Sequence, residues 1–156
     1  RTDDGTLWID HPSVGGSSPK VPVKVTGENL RYFRHHASRI SAASEQQLPW
    51  ICSSGVVGLR ELRVPLGGDD KTERSFRVTL HFAEVAGKRP GERVFDVRID
   101  DGPTLENIDP ARLARGTNRA AVRQVRVTLT ASEMKLTFSP RKGEPLLCGV
   151  EVVAEK

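Results

Sequence analysis

Between Arg31 and Arg39 the chain gathers three arginines and two histidines around two aromatic rings. Arg31, Arg34, His35, His36 and Arg39 enclose Tyr32 and Phe33 in LRYFRHHASR. Flat rings offer stacking faces, and guanidinium groups give charge-assisted hydrogen bonds to anionic or hydroxyl-rich partners. Such a mixture suits single-stranded nucleic acid or an anionic glycan. A solvated loop with two core aromatics is the plainer alternative. No RNP, KH, zinc-finger or helix-turn-helix pattern accompanies the charge, so a nucleic-acid partner is not expected.

Acid–base chemistry has fewer candidates. The four histidines are His11, His35, His36 and His81. His11 precedes Pro12 in a turn, and His35 and His36 would point apart in an extended chain. His81 falls opposite the Val78–Phe82 face of an alternating run and reads as structural or rim-forming. Glu84 and Asp96 could meet across strands as a glycosidase pair. Arg93 and Arg98 stand close to Asp96, however, and an ion pair is the simpler expectation. Glu84 then reads as a strand-end residue bonding to a turn. No nucleophile elbow, HExxH motif or Walker loop occurs, so no enzyme activity and no cofactor are expected.

Cys52 and Cys148 have neither metal nor redox-pair spacing. One long-range disulfide and two buried free thiols both remain open. Asp69, Asp70, Asp100 and Asp101 lie in turns without the order of a calcium loop, and no metal is assigned.

The elements that position these groups are read from periodicity. FRVTLHFAEVAGKRPGERVFDVRI places Phe76, Val78, Leu80 and Phe82 on one strand face and Phe95, Val97 and Ile99 on another. Those faces must be buried against a second layer. Val21–Val25 suits an edge strand because of Pro22. Leu62, Val64 and Leu66 alternate, as do Val125, Val127 and Leu129, then Met134, Leu136 and Phe138, and finally Cys148, Val150 and Val152. Residues 40–47 suit one or two helical turns. Asp109, Pro110 and Gly116 bracket another, as N-cap, first helical residue and stop. About eight short strands result, which predicts an all-β, two-sheet antiparallel β-sandwich of jelly-roll-like kind. The 156 residues are one domain by size. The net charge of +4 is mild and its signs are interleaved. No apolar window is long enough for membrane insertion. The polar RTDDG opening suits a module excised from a larger protein, with the other domains of that parent as partners.

LHFAEV, a short gap and RVFDVRIDDG together resemble the central motif of the malectin and malectin-like carbohydrate-binding domains. TLENID and then AAVRQVRVTLTASEMKLTFSPRKGEPLLCGVEVV are similar to that family's closing strands. The resemblance runs from Phe76 to Val153 and is looser over Leu7–Leu66. It implies a non-catalytic, extracytoplasmic or secreted β-sandwich that binds carbohydrate through edge loops. The implied site is a cup of early aromatics with an acid near the last strand. The matching positions are Tyr32 and Phe33 with the adjacent Arg34, Trp50 in LPWICSSG, and Glu144 in KGEPLLCG, with Gly143 as the alternative register. Trp50 reads equally as a core plug.

Aromatics make up only 5% of the chain. With Phe76, Phe82, Phe95 and Phe138 assigned to the core, only Trp8, Tyr32, Phe33 and Trp50 remain for a sugar platform. An acidic or sulfated polysaccharide held by the arginines is therefore an alternative ligand. A structural or protein-interaction sandwich without sugar binding is the alternative function.

Overall fold

Alternation dominates the architecture. The computed structural model describes residues 6–12, 22–44, 47–68 and 71–155. Its strands are β1 (Lys24–Arg34), β2 (Ser54–Pro65), β3 (Arg74–Ala83), β4 (Val94–Ile99), β5 (Thr104–Ile108), β6 (Ala120–Leu129), β7 (Glu133–Lys142), β8 (Leu146–Leu147) and β9 (Gly149–Glu155). They form two antiparallel sheets. One runs β1-β2-β7-β4-β5, with β8 also paired to β2, and the other runs β6-β3-β9.

The Phe76–Ile99 segment joins the two layers. β3 is the centre of the smaller sheet and β4 belongs to the larger, so their apolar faces meet across the sandwich. Phe82 contacts Phe95 edge-on at 5.9 Å between centroids, and Phe95 contacts Phe138 at 6.3 Å. Val78, Leu80, Val97, Ile99, Met134 and Leu136 complete a core fully withdrawn from water. The outer faces are charged instead. Arg63 pairs with Glu61 and Glu133 on one sheet, and Arg77 and Arg126 share Glu155 on the other.

α1 (Pro110–Leu113) starts as its sequence indicates: the Asp109 carboxylate accepts from the Arg112 backbone N–H, and Pro110 fills the first helical position. Within the 40–47 stretch expected to turn, Gln47 is in 3₁₀ conformation and its backbone N–H donates to the Ser44 carbonyl at 3.2 Å. A 3₁₀ turn occupies Ala37–Arg39, where the His36 ring accepts from Ser38 N, and a second occupies Ile51–Ser53. Positions 45 and 46 of that expected turn lie outside the described residues, as do Val21, Asp69 and Asp70.

The edge strand expected at Val21–Val25 is β1, but it begins at Lys24 and continues through the aromatic-basic segment to Arg34. Its alternation is broken by register shifts between Thr26 and Arg31, with Asn29 at a φ of 53°. A Cβ at Gly27 would stand 2.2 Å from the Gly58 carbonyl oxygen, so only glycine allows this close crossing. Ahead of β1, Trp8 reaches the outward-facing His81 of β3, at 5.2 Å between ring centroids.

Candidate functional site

β1 delivers Arg31, Tyr32 and Phe33 to one end of the larger sheet, where Arg31 faces Val57, Tyr32 faces Val56 and Phe33 faces Gly55. The loop after β3, the residue before β4 and the β7–β8 turn converge on the same place. Together they wall a cleft of about 430 Å³ lined by Arg31, Tyr32, Phe33, His35, Val57, Val85, Ala86, Lys88, Arg93 and Glu144. That volume lies within the range of small-molecule sites.

Tyr32 is 46% exposed. Phe33 is more enclosed, with His35 tilted against it at 5.8 Å between centroids. Glycine at position 55 makes this seat possible, because a Cβ there would stand 2.7 Å from the Phe33 ring and 2.6 Å from the Leu147 carbonyl oxygen.

The cleft's charges are largely paired. Arg31 donates to both Glu144 carboxylate oxygens, at 3.1 and 2.5 Å. The Arg31 contact holds the Glu144 carboxyl below its ordinary range, with smaller contributions from Arg93 and Lys88. Deeper in, Arg93 donates through Nε to Glu84 at 2.7 Å, with both side chains almost fully buried. Arg93 also donates to the Glu144 backbone carbonyl, and the second Glu84 oxygen accepts from Ala86 N at 2.9 Å. Buried charges of this kind persist only when paired and hydrogen-bonded. Lys88 makes no ion pair among the described residues.

Of the residues singled out in the sequence, Tyr32, Phe33 and Glu144 meet at this cleft. Arg34 turns away to Asp10, at 3.2 Å. Trp50 is 43% exposed but lines a separate groove with Ala42, Ala43, Ser44, Leu48 and Pro49, and packs edge-on against Trp8. It is not the core plug considered as its alternative. Glu84 bonds to its turn as expected, and its buried partnership with Arg93 is an addition. Asp96 is a correction: its partner is Arg141, at 2.8 Å, rather than Arg93 or Arg98. β4 pairs with β7 so that Asp96 faces Ser139, which brings the nearby Arg141 over the carboxylate. Arg141 and the Asn107 backbone N–H hold that carboxyl below its ordinary range. Glu84, just past β3 of the small sheet, and Asp96, within β4 of the large sheet, thus have separate arginines.

The walls contributed by Val57, Val85, Ala86, Lys88 and Arg93 were not apparent in the sequence as site residues. The only local signal is that Glu84 and Arg93 bracket one loop.

The family model described as Malectin domain matches residues 70–151. The chain belongs to the malectin family. The matched malectin segment contains β3 through part of β9, including Lys88, Arg93 and Glu144; Tyr32 and Phe33 lie ahead of it. Receptor-like protein 4 of Arabidopsis thaliana is 31% identical over 77 residues, covering 48% of this chain and 12% of its own length. The chain therefore spans about an eighth of that relative. Solved structures share the fold of this chain. Bacteroides uniformis β-glucuronidase 2 matches 99% of this chain with 16% of its own, at 16% identity and a TM-score of 0.67. The ANXUR2 extracellular domain of Arabidopsis thaliana matches 83% of this chain with 40% of its own, at 12% identity and a TM-score of 0.65.

Proposed function

We propose that this domain is a non-catalytic carbohydrate-binding module that takes an oligo- or polysaccharide segment in the Tyr32–Phe33 cleft. The carrying observation is the conjunction of an accessible tyrosine ring, a seated phenylalanine and fixed polar groups around one cavity. The rings stack on the apolar face of a sugar, while Arg31, Glu144 and Lys88 address its hydroxyls. A sugar whose hydroxyls do not match these donors and acceptors makes fewer hydrogen bonds and binds more weakly. Because Arg31 and Arg93 already hold carboxylates, Lys88 is the main uncompensated cation among the described lining residues, and neutral sugars fit better than polyanions. Glu84 and Asp96 serve arginines, which supports binding without hydrolysis. We further propose that the domain works outside the cytoplasm within a longer chain. Support comes from its likeness to a receptor-like protein and to a structure named as an extracellular domain.

A protein-interaction or structural domain without sugar binding is the second reading. The separation of Trp50 from Tyr32 and the low aromatic content favour it. A broad array of neutral and sulfated glycans, probed at two salt concentrations, separates the two. Salt-resistant binding to neutral glycans, lost in Tyr32→Ala, is the expected outcome. A blank array from folded protein supports the second reading.

A further inference from the structure

The end of β3 brings the chain's two cysteines together from distant parts of the sequence. Cys52 lies in the 3₁₀ turn Ile51–Ser53, fully buried, and its thiol donates to the Phe82 carbonyl at 3.4 Å. Cys148 is the single residue between β8 and β9, and its backbone N–H donates to the adjacent His81 carbonyl at 2.9 Å. Both pack into one small apolar cluster with Ile40, Ala83 and Ala120. Cys148 is half-buried, and its proximity to Cys52 adds to burial in raising its thiol pKa.

We propose that Cys52 and Cys148 close into one intramolecular disulfide when the chain folds in an oxidising compartment. The thiols are free in the structure, so the bond is a further covalent step between two side chains packed in one cluster. It would tie the Ile51–Ser53 turn to the β8–β9 joint. That joint directly follows Leu147, whose carbonyl abuts Gly55 beneath the Phe33 ring. The bond thus fastens the back wall of the cleft, whatever ligand the cleft takes.

The oxidant is a disulfide donor, such as oxidised glutathione. One cysteine loses its proton and its thiolate attacks the donor, forming a mixed disulfide and expelling one donor thiolate. The second cysteine, deprotonated in turn, attacks the protein sulfur of that mixed disulfide and expels the other. Two electrons pass to the donor, and the two protons appear on its released thiols. Burial and the Cys52 contact push the Cys148 thiol well above its ordinary range, so attack from the folded state is slow. Exchange belongs to folding, while both sulfurs are accessible, and the finished bond is then shielded.

The test is to refold the full chain from denaturant and reductant into a glutathione redox buffer, then denature it with an alkylating reagent. Intact mass should show no alkylation and two hydrogens fewer than the reduced chain. Unreduced digestion should yield a peptide pair holding Cys52 and Cys148. Reduction should lower Tm by at least about 5 °C, and Cys52→Ala/Cys148→Ala should not respond to reductant. Two alkylated thiols, a glutathione adduct or a disulfide-linked dimer would each overturn the proposal. The alkylation result stands even if the double variant fails to fold.

Discussion

Tyr32 and Phe33 are neighbours in sequence with different tasks. Tyr32 offers a face to solvent, whereas Phe33 fills a seat that exists because position 55 has no side chain. Gly55→Ala should therefore cost about 1–3 kcal/mol of stability and displace the Phe33 ring. Urea unfolding should show the loss as a lower midpoint with an unchanged slope. His81 makes stability depend on pH. It is 1% exposed, Trp8 covers it, and neither ring nitrogen completes a hydrogen bond of good geometry. Burial lowers its pKa from 6.5, which the nearby Gln47 backbone offsets only in part. The unfolded chain then binds this proton more readily than the folded one. Stability is at its full value above about pH 6.5 and declines below it, as the unfolded state becomes charged. His81→Leu should remove that component while leaving stability at pH 8 equal or higher, since no hydrogen bond is lost. Unfolding free energies of both proteins at pH 5, 6 and 8 would check the sign.

Among the elements, the β3–β4 connection is clamped by Glu84 and Arg93. One carboxylate fixes both the turn at Ala86 and the guanidinium that holds the Glu144 carbonyl. Glu84→Gln leaves Arg93 buried without its charge partner and should cost about 3–5 kcal/mol. The shift in denaturation midpoint would check it, and Arg93→Lys should fall in the same direction because it lacks the planar fork. These same elements show what the sequence reveals. β3, β4, β6, β7 and β9 were legible because each buries one face, and two-residue alternation records that directly. The β1 extension through Tyr32 and Phe33 was not, because the irregularity around Gly27 and Asn29 breaks the alternation. Arg141 could not be matched to Asp96 from local spacing, since only the β4–β7 register joins them. Tyr32, Phe33 and Glu144 stand out through family likeness. Lys88 and Arg93 become visible as cleft walls only once both sheets are assembled.

Across the whole molecule, charge is spread over two outer faces as arginine–carboxylate pairs, each worth little on its own. The cleft follows the same pattern, with Arg31 and Arg93 both paired. Glycan affinity should therefore change by less than about threefold between low and physiological salt, because the cleft lacks a block of free cations for salt to screen. Affinities measured at both salt concentrations would check this. The proposed function stands or falls on whether ligand enters at Tyr32 and Phe33 or at Trp50. Calorimetric titration of the wild type, Tyr32→Ala and Trp50→Ala with the best neutral glycan from the array separates these two entries. At least about a tenfold loss is expected for Tyr32→Ala, from removal of the stacking face, and less than about a twofold change for Trp50→Ala. Undiminished binding in Tyr32→Ala, with binding abolished in Trp50→Ala, would contradict a sugar site in the Tyr32–Phe33 cleft.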